Sequence, residues 1–572
     1  MDKNRVADVL EEIGLLLEVA GESPFKSRAY ENAARTIRET DRDLVQMVQE
    51  GRLRDLKGIG EALSEKITSL VTTGSLPYYD ELRASVPGVL YELIRIPGLG
   101  SKKARLLVER LGLQSLEDLE RACRQDRLRD LTGFGGKTQD RILKGIEQVR
   151  AYGRQVLLGR ALPLADDLEA ALRSLPAVRR AACAGDARRR RETVEGLVLV
   201  ASVTDAARVA DAFCRLPAVE SAPLRSATRL SVVCHGPLPA DLVLVRDDGD
   251  YAITLLHQTG GPGHLEALGE RARRRGLALR EDGLFRGGER LPCPDEETIY
   301  REIGLSYVPP ELREGTGEVE AAAGGAPLEL LQAGDVRGIF HVHSTWSDGR
   351  LPIDDLVRRC VALGYQYVGI SDHSQSARYA RGLTPESLGQ QQLQIDAARA
   401  HHPGIRILKG SEVDILPDGS LDYPDEVLDR LDFVVASVHS SFSLPKAEQT
   451  RRIVRALGNR HTTILGHPTG RLLLQREPYD VDLRAVLEAA ARAGVYVELN
   501  ASPHRLDLDT AACRLARSLG ARLAIDPDAH DAQGLEDVRY GVGIARRAGL
   551  RASDVLNTLP ADALDRALAR PR

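Results

Sequence analysis

Nine histidine and carboxylate side chains in the C-terminal part of the sequence could assemble into a group of metal ligands. Each lies at or just after the end of a short apolar segment that is typical of a β-strand: His341, His343, Asp348, His373, Glu412, His439, His467, Asp528 and His530. Ten of the 13 histidines lie after residue 335, so the bias toward this region is strong. Nitrogen and oxygen ligands without cysteine suit Zn²⁺ or Mn²⁺, with Mg²⁺ as an alternative. Because one ion takes about three or four protein ligands, the set predicts two or three divalent ions that could activate water for attack on phosphorus.

The segments that carry these residues predict one parallel α/β barrel. Seven apolar segments alternate with amphipathic helical segments from residue 336 onward: GIFHV, QYVGI, IRILKG, DFVVASV, TTILG, VYVEL and RLAID. This alternation is typical of parallel strands that are joined by helices. The carboxyl ends of barrel strands meet at one rim, where active sites form. Residues as distant in sequence as His341 and His530 would therefore meet in space.

The motifs around these ligands resemble those of the PHP (polymerase and histidinol phosphatase) family. HVH, SDH, GSE, SVH, GHPTGR and DAH carry the resemblance, which covers residues 336–572. It implies a distorted (β/α)7 barrel with three ion sites. The implied ligand sets are His341, His343, Glu412 and Asp528 for the first ion, Asp348, His373 and His530 for the second, and Glu412, His439 and His467 for the third. The resemblance also implies that Glu412, Asp528 and His341 are central to catalysis, and that Arg505, in NASPHRLDLD, contacts a phosphate.

Three glycine-rich turns in the N-terminal part of the sequence predict DNA binding. LKGIGEAL (56–63), IPGLGSKKA (96–104) and LTGFGGKT (131–138) each place two glycines around an apolar residue, directly before a helical segment. Such a turn leaves backbone N–H groups free at the helix N-terminus, and glycine lets a phosphate approach closely. The turns resemble helix–hairpin–helix motifs, which hold the DNA backbone without reading its sequence. The predicted DNA contacts are Gly58, Gly60, Gly98, Gly100, Lys102, Lys103, Gly133, Gly135 and Lys137.

The remainder of the chain resembles bacterial family X DNA polymerases. SPFKSRAYENAARTI (23–37) is similar to that family's small N-terminal domain, and two segments at 269–285 and 296–315 are similar to its thumb. The resemblance covers nearly the whole chain and predicts a multidomain α/β protein. We expect N-terminal helical helix–hairpin–helix domains, an α+β nucleotidyltransferase-like palm and thumb, and a C-terminal (β/α)7-like PHP barrel. The predicted domains are 1–83 (small, helical, DNA-binding), 84–150 (fingers-like, with two helix–hairpin–helix motifs), 151–255 (degenerate palm), 256–315 (thumb-like), 316–335 (linker) and 336–572 (PHP metallophosphoesterase).

The predicted palm departs from the family where the polymerase would hold its metal ions. The family's Gly-Ser is Gly185-Asp186, its basic segment is Arg188–Arg191, and its two strand aspartates are Gly196 and Val198. A third aspartate remains as Asp241 of ADLVLV. One carboxylate cannot hold two Mg²⁺ ions against the charge of a nucleoside triphosphate, so we expect templated synthesis to be absent or very weak. Arg188 and Arg189 are still predicted to contact DNA.

Four functions are compatible with these features. The favoured one is a DNA-repair enzyme of the family X type that hydrolyses DNA phosphoesters at the barrel, as a 3′→5′ exonuclease or as a nuclease that processes 3′ ends or abasic sites. An active gap-filling polymerase is the second, with Asp241 and an unorthodox carboxylate, Glu192 or Glu195, as metal ligands. The third is a non-catalytic DNA-binding scaffold that recruits other repair proteins. The fourth, a small-molecule phosphatase, leaves the three DNA-binding turns unexplained.

Composition predicts where such a protein would work. The chain has 43% apolar and 28% charged residues, no apolar run near the roughly 20 residues of a membrane helix, and no signal-peptide-like start. Its seven cysteines occur singly, which is typical of reduced thiols. The net charge of −5 means that DNA must be held by local basic patches. We therefore expect a cytoplasmic monomer without membrane contact, associated with the nucleoid when it binds gapped, nicked or 3′-ended duplex DNA.

Overall fold

The chain divides between residues 153 and 154 into two structural units. The computed structural model describes residues 3–40, 42–94, 96, 99–129, 131, 133–153, 155–235 and 238–568. None of the described helices has the length and apolar character that a membrane crossing requires. All seven cysteines are free thiols, as their isolated positions in the sequence predict.

The described residues of the N-terminal unit form helices throughout, as the apolar spacing predicts. The helices are α1 (Lys3–Ala20), α2 (Pro24–Glu39), α3 (Leu44–Gln49), α4 (Glu61–Thr73), α5 (Pro77–Ser85), α6 (Gly88–Ile94), α7 (Ser101–Leu111), α8 (Leu116–Arg124) and α9 (Gly136–Tyr152). In α1, Val6, Val9 and Ile13 share one helical face and are buried. Asp43 begins α3, because its carboxylate accepts hydrogen bonds from two backbone amides of the first turn.

The C-terminal unit begins with the palm-like sheet. Its elements are β1 (Val156–Leu157), α10 (Leu158–Arg173), β2 (Val178–Ala184), α11 (Gly185–Arg188), β3 (Thr193–Val194), β4 (Leu197–Val203), α12 (Ala206–Cys214), β5 (Val219–Arg225), β6 (Arg229–Cys234), β7 (Leu238–Val245) and α13 (Tyr251–Thr259). Five strands form a sheet in the order β2-β4-β7-β6-β5, while β1 pairs with β3. The parallel pair β4 and β7 places Val198 directly opposite Asp241.

A thumb-like region follows the sheet. It comprises α14 (Pro262–Arg274), β8 (Leu277–Arg280), β9 (Gly283–Arg286), β10 (Glu289–Leu291), α15 (Glu296–Ile303) and α16 (Glu318–Ala322). Helix α16 lies inside the segment 316–335, which was predicted to be a linker. Glu318 accepts hydrogen bonds from the backbone amides of Gly315 and Thr316, and Leu331 is buried. These contacts fix two parts of the segment to the unit, while residues 323–327 between them are exposed.

The last part of the chain forms the parallel barrel that the alternating pattern predicts. Its elements are β11 (Gly338–Ile339), α17 (Ile353–Ala362), β12 (Tyr367–Ile370), α18 (Pro385–His401), β13 (Arg406–Asp414), α19 (Asp425–Leu428), β14 (Phe433–Ser437), α20 (Lys446–Leu457), β15 (Ile464–Leu465), α21 (Leu483–Ala493), β16 (Tyr496–Asn500), α22 (Thr510–Ser518), β17 (Leu523–Asp526), α23 (Val538–Arg547) and α24 (Leu564–Leu568). The seven strands pair in sequence order, all parallel. A parallel bridge between Val342 and Ala529 connects the last strand to the first and nearly closes the barrel.

The barrel packs directly against the palm-like sheet. A Cβ placed on Gly159 of α10 would lie 2.3 Å from the Pro503 Cβ, so the two segments touch closely. The Tyr540 hydroxyl of α23 donates a hydrogen bond to the Gly159 carbonyl at 3.3 Å. Nearby, Arg546 forms an ion pair with Glu311 at 2.7 Å.

Candidate metal centre and nucleic-acid interface

Glu412 lies at the centre of the predicted ligands, at the carboxyl ends of the barrel strands. Its Oε1 atom is 2.9 Å from His467 Nε2, 3.2 Å from His439 Nε2 and 3.3 Å from His341 Nε2. Its Oε2 atom is 2.8 Å from His373 Nδ1. Histidines from four other strand ends therefore converge on this one buried carboxylate.

A second group surrounds Asp348, which lies in the loop after β11. Its Oδ1 atom is 3.4 Å from His530 Nε2, 3.6 Å from His373 Nε2 and 3.8 Å from His343 Nδ1. His343 also reaches the Asp528 Oδ1 atom through Nε2, at 3.3 Å. One imidazole thus adjoins two carboxylates, which is the arrangement of neighbouring ion sites.

The donor atoms fit divalent ions. Three sets each have their donor atoms within 4.8 Å of one another: His343, Asp348, His373 and His530; His341, His343 and Asp528; and His373, Glu412 and His439. These sets overlap the three that the PHP resemblance implies, but His343 joins the Asp348 set and His373 joins the Glu412 set. Several buried ligand atoms, including His341 Nε2 and Glu412 Oε2, have no hydrogen-bond partner among the described residues. Burying a polar atom without a partner costs free energy unless a bound ligand satisfies it. The assignment of individual ligands to individual ions stays a prediction.

Two carboxylates behind the ligands orient the histidine rings. Neither was among the residues predicted from the sequence. Glu498 Oε1 lies 2.6 Å from His341 Nδ1, and Asp414 Oδ1 lies 2.6 Å from His439 Nδ1. Such carboxylate partners fix the ring orientation of metal-binding histidines. Two sequence signals could have revealed them: Glu498 is a charged residue in the apolar strand VYVEL, and Asp414 lies two positions after Glu412, on the same face of β13.

The electrostatics of the cluster keep its carboxylates ionised but divide its histidines: although burial opposes their charge, Glu412 raises the pKa of His439 to about 10 and Asp348 raises that of His530 to about 9, so metal binding would release protons from these rings. Although burial opposes its ionisation, the rings of His439 and His341 hold the pKa of Glu412 well below its ordinary value. Burial and the neighbouring ring of His530 lower the pKa of His343 to about 3, so this imidazole is neutral at pH 7. Ionised carboxylates and neutral imidazoles are the forms that bind metal.

Arg505 lies beside the cluster, where the PHP resemblance implies a phosphate contact. Its Nε atom is 3.3 Å from Asp528 Oδ2, and its Nη1 atom is buried without a hydrogen-bond partner in the described part of the chain. A guanidinium in this position can bind a phosphoryl oxygen next to the metal ligands.

The described residues of the glycine turns leave the start of each following helix open. Gly60, Gly100 and Gly135 stand directly before α4, α7 and α9, and none of these helix ends is capped by a side chain. Gly58 and Gly133 have φ of 84° and 90°, a backbone conformation that favours glycine. The apolar residues between the glycines, Ile59, Leu99 and Phe134, are buried and anchor the turns.

The basic residues of these turns lie in the first turns of the helices that follow. Lys102 and Lys103 are exposed in α7, and the Lys103 Nζ atom is 5.8 Å from the centre of the Phe134 ring of the third turn. Lys137 belongs to α9, and Gly98 lies outside the described residues. The roles of all these residues in DNA binding stay predictions.

The palm-like sheet holds Asp241 in an internal ion pair. Its Oδ2 atom is 2.5 Å from Arg229 Nη2, and Ser231 donates a hydrogen bond to Oδ1. Burial opposes ionisation, but these two partners outweigh it and lower the pKa of Asp241. At Gly196, a Cβ would lie 3.0 Å from the Pro239 carbonyl oxygen, which leaves little room for an aspartate. Because Val198 is apolar, Asp241 is the single carboxylate at the three family aspartate positions, and the loss of a two-metal site stays a prediction.

The arginine run before β4 is engaged in internal contacts. Arg188 binds the buried Glu296 with Nη2 at 2.6 Å, and Arg189 donates a hydrogen bond to the Thr259 carbonyl at 2.6 Å. Arg189 also lies 3.2 Å from Glu314, and its side chain is only 9% exposed. These contacts give both arginines a structural role within the unit, while their contact with DNA stays a prediction.

Comparison with known families agrees with this geometry. Family models match a helix–hairpin–helix domain at 1–76, a SAM-like helix–hairpin–helix tandem at 90–148, a DNA polymerase beta thumb at 254–314 and a PHP domain at 340–502. The chain is also 37% identical over 561 residues, 97% of both proteins, to the DNA polymerase/3′-5′ exonuclease PolX of Bacillus subtilis. It belongs to family X of the DNA polymerases. This member of family X combines helix–hairpin–helix domains, a thumb and a PHP barrel, as the resemblance of its sequence motifs implies.

The PHP barrel of this family X member also has separate relatives. It is 30% identical over 165 residues to a probable phosphatase of Thermoanaerobacter, 65% of which is covered, and 27% identical over 236 residues to one of Syntrophotalea carbinolica, 93% of which is covered. The PHP domain implies that the chain binds divalent metal, and the helix–hairpin–helix and thumb domains imply that it binds DNA. The predicted domain boundaries stay predictions.

Proposed function

We propose that this chain is a divalent-metal-dependent DNA phosphoesterase that removes nucleotides from 3′ ends through its PHP barrel. The observation that carries the proposal is the contrast between two sites in one structural unit. The barrel rim gathers six histidines and three carboxylates, whereas the three aspartate positions of the palm-like sheet keep one carboxylate, Asp241, already paired with Arg229. The relative in Bacillus subtilis carries 3′-5′ exonuclease in its name, which agrees with the proposal.

The reaction is hydrolysis of the terminal phosphodiester. Water adds to phosphorus, the bond between phosphorus and the 3′ oxygen breaks, and a 5′-nucleotide leaves a shortened strand with a 3′ hydroxyl. Divalent ions, Mn²⁺ or Zn²⁺ with Mg²⁺ as an alternative, would supply the positive charge that activates water and stabilises phosphoryl oxygens. Arg505 would hold a non-bridging oxygen, and Glu498 and Asp414 would hold the histidine rings in place.

DNA is the substrate that the remaining domains support. The glycine turns and the thumb would hold gapped, nicked or 3′-ended duplex, with the chain acting as a monomer or beside other repair proteins. A protein with this substrate would work in the cytoplasm, at the nucleoid. Templated synthesis is not part of the proposal, because a single carboxylate that is paired with arginine cannot hold two ions.

The test compares wild type with His341→Ala on 3′-recessed DNA in Mn²⁺. Removal of this ligand should lower nucleotide release by about 100-fold or more. The matched control is His401→Ala, because the His401 side chain is 68% exposed and pairs with Asp354, outside the cluster. Equal nuclease activity in His341→Ala and wild type would overturn the proposal. Preferential hydrolysis of p-nitrophenyl phosphate over DNA would favour the small-molecule phosphatase instead, and tight DNA binding without metal-dependent turnover would favour a non-catalytic scaffold.

A further inference from the structure

Tyr379 presents a bare aromatic ring at the edge of the metal cluster. It lies in a short helical turn, Arg378–Ala380, between β12 and α18. Its ring centre is 6.0 Å from that of His373 and 6.3 Å from that of His439. The side chain is nevertheless 71% exposed, and no other described aromatic residue between 155 and 568 is exposed.

The backbone beneath this ring is firmly held. Ala377 and Ala380, on either side, are buried. The Ser376 amide donates a hydrogen bond to Asp422 Oδ2 at 2.8 Å. Gly382 packs so closely that a Cβ there would lie 1.9 Å from the Ser374 carbonyl oxygen. The ring therefore stands out from a fixed loop, and a fixed aromatic surface that faces solvent is suited to binding a flat partner.

The charges around the ring favour a partner with phosphates. Arg378 and Arg381 flank Tyr379 in the same loop, and both are exposed. Neither forms an ion pair with any carboxylate in the part of the chain that the structure describes. Aromatic rings beside free cations are the pattern by which proteins hold single-stranded nucleic acid, because bases stack on the ring while cations meet the backbone.

We infer that Tyr379 is the platform on which the base at the 3′ end of DNA stacks while its phosphodiester is hydrolysed. The inference rests on the proposed function and deepens it, because stacking on Tyr379 would make the site prefer nucleotides at DNA ends to small phosphate esters. The His373 and His439 rings lie on the metal side of Tyr379, so a phosphate at the cluster directs its attached nucleoside toward the exposed ring. Arg378 and Arg381 then face the neighbouring phosphates.

The test uses two DNA duplexes that differ only at the 3′-terminal nucleotide, which carries either thymine or an abasic tetrahydrofuran. Stacking of one base contributes enough that Tyr379→Ala should lower the ratio of kcat/KM on the thymine end to that on the abasic end by about five- to a hundredfold. Tyr379→Phe keeps the flat ring and should keep the wild-type ratio. Retained cleavage of the abasic end also shows that the Ala variant is folded.

Three outcomes are distinguishable. A lower ratio in Tyr379→Ala and a wild-type ratio in Tyr379→Phe supports stacking. An equal loss on both duplexes, or the same loss in both variants, overturns the inference while leaving the proposed nuclease intact. Failure of wild type to release nucleotides from either duplex in Mn²⁺ overturns the proposed function, and the inference with it.

Discussion

Glu192 accepts a 3.0 Å hydrogen bond from Arg471, which joins the end of the arginine run to the rim of the barrel. Arg471 also donates hydrogen bonds to the carbonyls of Arg505 and Leu506. Arg505 in turn lies 3.3 Å from the predicted metal ligand Asp528. A palm residue is therefore connected to the metal cluster through two arginines.

This connection predicts that a palm substitution affects hydrolysis. Glu192→Gln keeps the size of the side chain but removes the charge that holds Arg471, so the loop that carries Arg505 should become less well placed. We expect kcat/KM for nucleotide release to fall about tenfold, because the substitution weakens one charge-assisted hydrogen bond. Steady-state kinetics on 3′-recessed DNA measures it. Glu195→Gln, an exposed carboxylate three residues later, is the control, and a wild-type rate in Glu192→Gln would contradict the expectation.

The buried Glu296 should be essential for stability. It binds Arg188 at 2.6 Å and is also paired with the fully buried Arg313. Glu296→Gln leaves the fully buried Arg313 and the partly buried Arg188 without their counter-charge, which should lower the free energy of unfolding by about 3–5 kcal/mol. Urea denaturation measures the change. Glu297→Gln, on the exposed side of α15, should change it by less than about 0.5 kcal/mol, and equal effects would refute the assignment.

The lowered pKa of Glu296 should make the stability of the fold sensitive to acid. Burial alone would raise its pKa, but Arg313 and Arg188 lower the pKa of Glu296 to about 2. Because the folded-state pKa lies below the unfolded value, this stabilisation is present above about pH 4.3 and is lost as the pH falls toward 2. The free energy of unfolding should thus decline over that window, less steeply in Glu296→Gln. Identical pH profiles in both proteins would show that the group does not contribute.

The palm should be unable to extend a primer. With Asp241 paired to Arg229 and no carboxylate at the two other family positions, Gly196 and Val198, we expect no templated extension in Mn²⁺, and Asp241→Ala should leave nucleotide release unchanged. A gapped primer-template assay measures both. Extension that requires Mn²⁺ and disappears in Asp241→Ala would establish a working polymerase site instead.

The second glycine turn should contribute to DNA affinity without sequence preference. Replacing Lys102 and Lys103 by alanine removes two exposed cations, so the slope of log affinity against log salt should become shallower by about two. Fluorescence anisotropy on two unrelated duplexes measures it. Arg124→Ala, whose guanidinium is already paired with Glu120, should leave the slope as in wild type. A sequence-dependent loss would argue against backbone binding.

The sequence predicted the barrel and its candidate ligands because both depend on local patterns. Apolar segments mark each strand, and in a parallel barrel the residue that follows a strand is placed at the rim regardless of its distance along the chain. His439 and His467 therefore meet at 3.3 Å although 28 residues separate them. The seven parallel strands and the helical N-terminal unit were confirmed.

The sequence could not predict what the arginine run binds. A guanidinium binds a phosphate or a carboxylate equally well, and the partners of Arg188 and Arg189, Glu296 and Glu314, lie 108 and 125 residues away. No local pattern connects residues at such distances. The contacts between the palm-like sheet and the barrel were missed for the same reason.

The close contact of Gly159 with Pro503 limits how the gene could be shortened during evolution. Helix α10 of the palm-like region covers the barrel at α23, where the Tyr540 hydroxyl donates a hydrogen bond to the Gly159 carbonyl. A deletion that removed α10 together with the palm-like sheet would expose this surface of the barrel to water. The barrel surface therefore gives a structural reason to keep the palm-like region that does not depend on nucleotide addition.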